Sequence, residues 1–181
     1  MRYEKQVTLR NGLPCLLRSG MPEDAQAVID QFVHTHGETD FLLTYPDEAS
    51  FTPEQEARFL TDKLENPREL ELCAIVGGQL VATAGIEALG RYDKVRHRAE
   101  FGISVLKSHW GMGIGHALTE ACIACARDAG YTQLELDVVA DNTSAQALYQ
   151  SLGFTEYGRN PKGFRSRSGH WQEVVLMRLE L

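Results

Sequence analysis

No run in this 181-residue sequence is apolar for long enough to cross a membrane as a helix, so a helical membrane protein is not expected. The first residues, Met1-Arg2-Tyr3-Glu4-Lys5-Gln6, are polar and lack the apolar core of a secretory signal. Positive charge is in short supply: 18 Lys and Arg stand against 25 Asp and Glu, a net charge of −7. That balance disfavours non-specific binding to nucleic acid. Cysteine is scarce too, and Cys15, Cys73, Cys122 and Cys125 are scattered through apolar patterns. Cys122 and Cys125 form a C-x-x-C, but no second ligand pair has metal spacing, so no metal site is expected. Small core residues in a reducing, cytoplasmic setting are the reading that remains. The chain also lacks internal repeats, linkers and low-complexity segments. Residues 1–181 therefore read as a single domain with enough length for a substantial core.

What is present alternates between strand and helix patterns. Val7–Arg10 and Pro14–Arg18 flank Asn11-Gly12, a hairpin signal. A helix is predicted from Pro22 to about His36, with Ala25, Val28, Ile29, Phe32 and Val33 on one face and Gly37 as its stop. Glu38 to Phe51 is irregular and mixes aromatic, apolar and acidic residues; it reads either as a lining for a substrate site or as a loop covering the core edge. Thr52-Pro53-Glu54-Gln55 has the form of a capping box opening a helix to Glu65, with Phe59, Leu60 and Leu64 inward. Leu70–Val76 and Leu80–Leu89 read as strands joined at Gly77-Gly78. Gly90–Arg98 is a polar connection whose basic side chains are expected in solvent. Leu134–Val139 is a strand, Asn142 a helix cap, Phe154–Arg159 a strand, Asn160–Gly169 a basic loop and Trp171–Leu179 a last strand. One mixed α/β domain follows.

The centre of the chain is His109-Trp110-Gly111-Met112-Gly113-Ile114-Gly115-His116-Ala117-Leu118. A strand pattern, Ala99–Leu106, precedes it. A helix pattern running to about Ala129 follows, with Ile114, Ala117, Leu118, Ala121, Cys122 and Cys125 on one face. Glycines let a backbone approach an anion, and the first amides of a helix have no internal partner. Strand, glycine loop and helix start together make a phosphate cradle. A dinucleotide site would fit only poorly. The spacing is not G-x-G-x-x-G, the motif lies past the chain's middle, and hairpins rather than βαβ units precede it. A phosphate-binding P-loop fits worse still, since no Gly-Lys-Ser/Thr follows.

The stretch from Gly111 to Leu118 resembles the acetyl-CoA loop of the GNAT N-acetyltransferase superfamily. Asn142-Thr143-Ser144-Ala145-Gln146-Ala147-Leu148-Tyr149-Gln150-Ser151-Leu152-Gly153-Phe154 is similar to that superfamily's second signature, Asn-x-x-Ala-x-x-Leu-Tyr-x-x-x-Gly-Phe. The element order fits as well. One departure stands out: Trp110 occupies a position where the superfamily usually has Gln or Arg, and it is expected to pack instead against the core or the cofactor.

The resemblance implies a GNAT fold, a central mixed and mostly antiparallel sheet with a splayed parallel strand pair, flanked by helices. It implies an acetyl-CoA-dependent N-acetyltransferase acting on a primary amine by direct attack, the acceptor being a small-molecule amine or a protein N-terminus. The form of the loop resembles the branch that acetylates ribosomal-protein N-termini. The backbone of Ile103, Ser104 and Val105 would pair with the pantetheine arm. The amides of Met112, Gly113, Ile114, Gly115 and His116 would hold the diphosphate. Asn142 would contact the arm, cap its helix, or do both. Tyr149 would be the general acid toward the departing sulfur, unless it is simply a packed aromatic. Glu100 would be the base acting through water; Asp137, His109 or no side-chain base at all are the competing assignments. No metal, nucleic acid or membrane is implied as partner, and a homodimer is a family habit. A non-catalytic acyl-CoA sensor and a nicotinamide-dependent oxidoreductase are the competing functions.

Overall fold

The computed structural model describes residues 1–48 and 51–181; Ala49 and Ser50, in the irregular stretch after the first helix, lie outside the described residues. Strands β1 (Glu4–Thr8) and β2 (Pro14–Ser19) form the hairpin expected around Asn11-Gly12. Helices α1 (Ala25–Glu38) and α2 (Pro53–Glu65) follow, then the hairpin β3 (Leu70–Val76) and β4 (Gln79–Ala88). Next come β5 (Arg98–Val105), α3 (Ile114–Asp128), β6 (Gln133–Val139), α4 (Thr143–Ser151), β7 (Thr155–Arg165) and β8 (Trp171–Glu180). All eight strands join one sheet in the order β1-β2-β3-β4-β5-β6-β8-β7.

Every neighbouring pair in that sheet is antiparallel except β5 and β6. The parallel pair is short. It holds only from Arg98–Gln133 through Ala99–Leu134 to Glu100–Glu135, and the strands part beyond that rung. Each keeps its outer neighbour: β5 stays paired with β4 to Val105, and β6 with β8 to Val139. A wedge-shaped gap therefore opens in the middle of the sheet. The closed end is fastened by Arg98, which donates from Nη2 to Glu135 Oε2 at 2.6 Å and from Nε to the other carboxylate oxygen. The Tyr157 hydroxyl donates to the same carboxylate at 3.3 Å.

Alternation along β5 sends Ala99, Phe101, Ile103 and Val105 to one face and Glu100, Gly102 and Ser104 to the other. Helices α3 and α4 cover the first face. Leu118, Ala121, Cys122, Cys125 and Ala126 of α3 are buried there against the sheet. Helices α1 and α2 cover the second face, where Ala25, Val28, Leu60, Cys73 and Leu80 make a smaller cluster. All four cysteines are buried and free, as core packing requires.

Four expectations need correcting. Helix α1 runs through Gly37 and stops only at Thr39, whose backbone is extended. Its buried face is Ala25, Val28, Gln31 and Thr35, while Val33 is 43% exposed, because Gln31 reaches across to β5 and turns the helix toward it. Arg98 is not solvated but ion-paired. The basic loop after β7 is mostly strand, since the ladder with β8 continues past a bulge between Asn160 and Phe164 and leaves only 166–170 as the turn.

The Arg98 guanidinium holds the Glu135 carboxyl below its usual range, outweighing the opposing effect of burial. A depressed carboxylate stabilises the fold above its unfolded value of 4.5, and that contribution is lost as pH falls through the folded value. Glu135→Gln is thus expected to cost about 1–3 kcal/mol at neutral pH. The difference from wild type should shrink below pH 4.5, as measured by urea unfolding. A pH-independent difference would contradict this role for the pair.

Candidate active site

The gap between β5 and β6 opens into a cleft of about 600 Å³. Its walls are Ile103, Ser104 and Val105 of β5, the glycine loop with the first turn of α3, and α4 from Asn142 to Ser151. The far side is closed by Thr35 of α1 and by Thr39, Phe41 and Leu42 of the following loop. No carboxylate lines the cleft among the described residues.

The glycine loop is built by a short helical turn, Lys107–His109, followed by two left-handed glycines. Gly113 has φ 93° and stands immediately before α3, a conformation that a residue with a Cβ resists. The first intrahelical bond of α3 runs from Ala117 N to Gly113 O at 3.1 Å. The amides of Ile114, Gly115 and His116 precede that bond and are left for a ligand. Gly115 also allows α3 and α4 to meet closely, since a Cβ there would lie 3.3 Å from Leu148 Cδ2.

Of the residues expected to hold a coenzyme, Ile103, Ser104, Val105, Gly113, Ile114, Gly115, His116 and Asn142 all line the cleft. Met112 does not. Its carbonyl accepts from Arg10 N at 3.0 Å and its sulfur from Asn11 Nδ2 at 3.5 Å, so it serves as the loop's anchor to the β1–β2 hairpin. Ser104 is held from the α1 side: Gln31 Nε2 donates to its Oγ at 2.9 Å and to its carbonyl at 3.2 Å. Asn142 caps α4, its side-chain oxygen accepting from Ala145 N at 3.2 Å. Trp110 does not pack in the core but lines the cleft. It is 45% exposed, and its ring nitrogen donates to the Val105 carbonyl at 2.8 Å, tying the loop to the end of β5.

Tyr149 is the one phenol on the cleft wall among the described residues. Its ring packs edge-on against Phe101, with centroids 6.1 Å apart, and at 5.8 Å from Phe154. Only 7% of the residue is exposed, and burial raises its pKa well above the usual phenol range. Its hydroxyl has no protein partner among the described residues and is not one of the fully buried polar atoms left without one, so it is open to the cleft. A protonated, unpartnered donor therefore faces the cleft.

Glu100 does not line the cleft. It occupies the last paired rung before the strands part, on the α1–α2 face of the sheet. Burial raises its pKa, with Asp137, Glu87 and Glu135 adding to the rise. Asp137, beyond the parting on β6, is raised by burial and by Glu135. His109 does line the cleft, and its Nδ1 lies 2.9 Å from Ser108 Oγ.

Two features escaped the sequence. Gln31 and Thr35 are polar residues on a helix whose apolar spacing drew attention elsewhere. The loop after α1 is fastened by the turn between β7 and β8. Arg167 N donates to the Tyr45 hydroxyl at 3.0 Å, its guanidinium pairs with Asp47 at 2.8 Å, and Gln172 Nε2 donates to Asp40 O at 2.9 Å. Only tertiary contact joins these segments, and no local signal in either announced it.

The sequence profile of the Acetyltransferase (GNAT) family matches residues 32–154. The L-amino acid N-acyltransferase MnaT of Escherichia coli is 31% identical over 90 residues, which is 50% of this chain and 52% of that protein. The chain thus spans about half the length of that curated relative, and between 26% and 63% of the first four. A GNAT-family acetyltransferase from Streptococcus pneumoniae superposes with a TM-score of 0.89 at 28% identity, covering 92% of this chain and 99% of that one. The Salmonella typhimurium protein yncA, solved with its cofactor acetyl-CoA, shares the fold at a TM-score of 0.82 and 20% identity, covering 92% of this chain and 94% of that one. With the profile spanning both signatures and both of the parted strands, the chain belongs to the GNAT acetyltransferase family.

Proposed function

We propose that this protein transfers an acetyl group from acetyl-CoA to a primary amine by direct attack, the amine being that of a small molecule or a protein N-terminus. The observation that carries the reading is the position of Tyr149. It is a protonated phenol without a protein partner among the described residues, set in the same cleft as the free amides of α3. The resting thioester needs no help to stay bound once its diphosphate is held, but the departing thiolate needs a proton. A phenol kept neutral by burial is matched to that task. Its fixed ring, clasped by Phe101 and Phe154, limits the motion that would misplace the hydroxyl.

The acetyl end of the coenzyme would lie where β5 and β6 separate. There β5 has lost its β6 partner, so Ile103 is available to pair with the arm, the Val105 carbonyl is taken by Trp110, and Ser104 is steadied from behind by Gln31. The acceptor would enter from the side of α1 and its loop, where Thr35, Thr39, Phe41 and Leu42 complete the wall. Glu100 is the proposed base, receiving the amine's proton through water. Its position at the apex of the gap, where the strands begin to part, and its raised pKa both support this, because a base with a higher pKa captures protons better near neutrality. Asp137 faces the same region and is the second candidate. The four buried, free cysteines fit a reducing, cytoplasmic setting.

Tyr149→Phe should lower kcat by about a hundredfold while leaving acetyl-CoA affinity within about twofold. Thiol release against a panel of amines, with calorimetry alongside, checks both; unchanged turnover removes the acid role. For Glu100, the acidic limb of kcat/KM in the wild type should lie above 4.5, because its folded pKa is raised. In Glu100→Gln that limb should disappear. The activity deficit should then be largest near neutral pH and shrink as rising pH supplies free amine unaided. A variant whose pH–rate profile overlays the wild type would assign the proton to another group.

A further inference from the structure

The β1–β2 hairpin reaches the glycine loop, and nothing in the family signatures concerns it. Its turn is stiff: Leu9 N donates to Leu13 O and Gly12 N to Leu9 O, both at 2.9 Å. From that turn, Arg10 N donates to the Met112 carbonyl at 3.0 Å, and Asn11 reaches the Met112 sulfur. The Arg10 side chain then lies along Gly113. A Cβ built on that glycine would sit 3.5 Å from Arg10 Cγ, 3.7 Å from Nε and 3.9 Å from Cδ.

Three further observations bear on this arginine. It is the only Arg or Lys on the cleft wall among the described residues. It is also uncommitted: the arginines in ion pairs there are Arg18, Arg96, Arg98, Arg159, Arg167 and Arg178. The other polar groups at the loop are engaged, since Trp110 Nε1 donates to Val105 O and His116 lies 3.4 Å from Glu120. A free guanidinium fixed by its own backbone beside unpartnered helix amides, in a protein of net charge −7, is placed for an anion.

We infer that Arg10 is a phosphate-binding residue of this site, its guanidinium closing over the diphosphate of coenzyme A opposite the amides of Ile114, Gly115 and His116. The inference rests on the coenzyme reading above and adds to it a residue from outside both signatures. Backbone amides give the diphosphate its position. The arginine adds charge and a bidentate fork, and its lever is the Met112 carbonyl, which any non-proline substitution at position 10 leaves in place.

Isothermal titration of coenzyme A and of dephospho-coenzyme A into wild type, Arg10→Met and Arg10→Lys tests it. Dephospho-coenzyme A lacks the 3′-phosphate and keeps the diphosphate. Arg10→Met should bind both ligands roughly five- to tenfold more weakly than wild type, as expected for one charge-assisted contact at a partly exposed site. Arg10→Lys should fall between, and the melting temperatures of all three free proteins should agree. Equal affinity of Arg10→Met and wild type for coenzyme A would overturn the assignment while leaving the coenzyme reading standing. A loss seen with coenzyme A but not with the dephospho form would overturn the diphosphate contact in favour of the 3′-phosphate. A wild type that binds neither ligand would overturn the coenzyme reading itself, and this inference with it.

Discussion

The separation of β5 from β6 beyond Glu100 is the constraint on which everything else in this molecule depends. A parallel pair with both strands buried would ordinarily continue hydrogen bonding to its end, because unpaired backbone groups inside a protein are costly. Here the pairing stops after three rungs, and each strand is held away from the other by a longer antiparallel partner. The Arg98–Glu135 pair, with Tyr157, fastens the closed end. The open end is left with backbone donors and acceptors that call for an extended ligand. A pantetheine arm, which carries amides along a flexible chain, is such a ligand.

The surroundings of the gap follow from the need to keep it open and polar in the right places. Gln31 secures Ser104 from one face of the sheet, while Tyr149, Phe101 and Phe154 fill the other. Trp110 fastens the loop to the last residue of β5, tying the strand end to the loop that leads into α3. The hairpin at the far edge of the sheet closes on the loop through Met112. Among the described residues the carboxylates meanwhile stay off the cleft wall, and Glu100 and Asp137 stand on the α1–α2 face with raised pKa values. A chain with an excess of acidic residues thus presents, among the described residues, a cleft wall without a carboxylate.

How much of this could be read in the sequence depended on whether the determining interaction was local. The glycine loop, the capping box at Thr52 and the Asn142 cap are short-range devices, and all stand where their residues indicated. The position of Tyr149 within α4 followed from the second signature. Other features hang on partners distant in the chain. The buried face of α1 is turned by a contact between Gln31 and Ser104, 73 residues apart. Strand β7 absorbs Pro161 and Gly163 in a bulge because β8 lies alongside, which no local rule foresees. Arg98 looked like one more solvated base in a polar run until β6 brought Glu135 to it. Arg10 belongs to the same class: a residue in a turn whose neighbour, Gly113, is supplied only by the fold.

Amide hydrogen exchange in the presence and absence of acetyl-CoA tests the central claim most directly, because it reads the backbone groups that the parted strands and the helix start leave free. The account predicts that the coenzyme slows exchange most at Ile114, Gly115 and His116 and along Phe101–Val105, with little change in β1, β7 or α2. Protection concentrated elsewhere, with these amides exchanging as in the free protein, would contradict it.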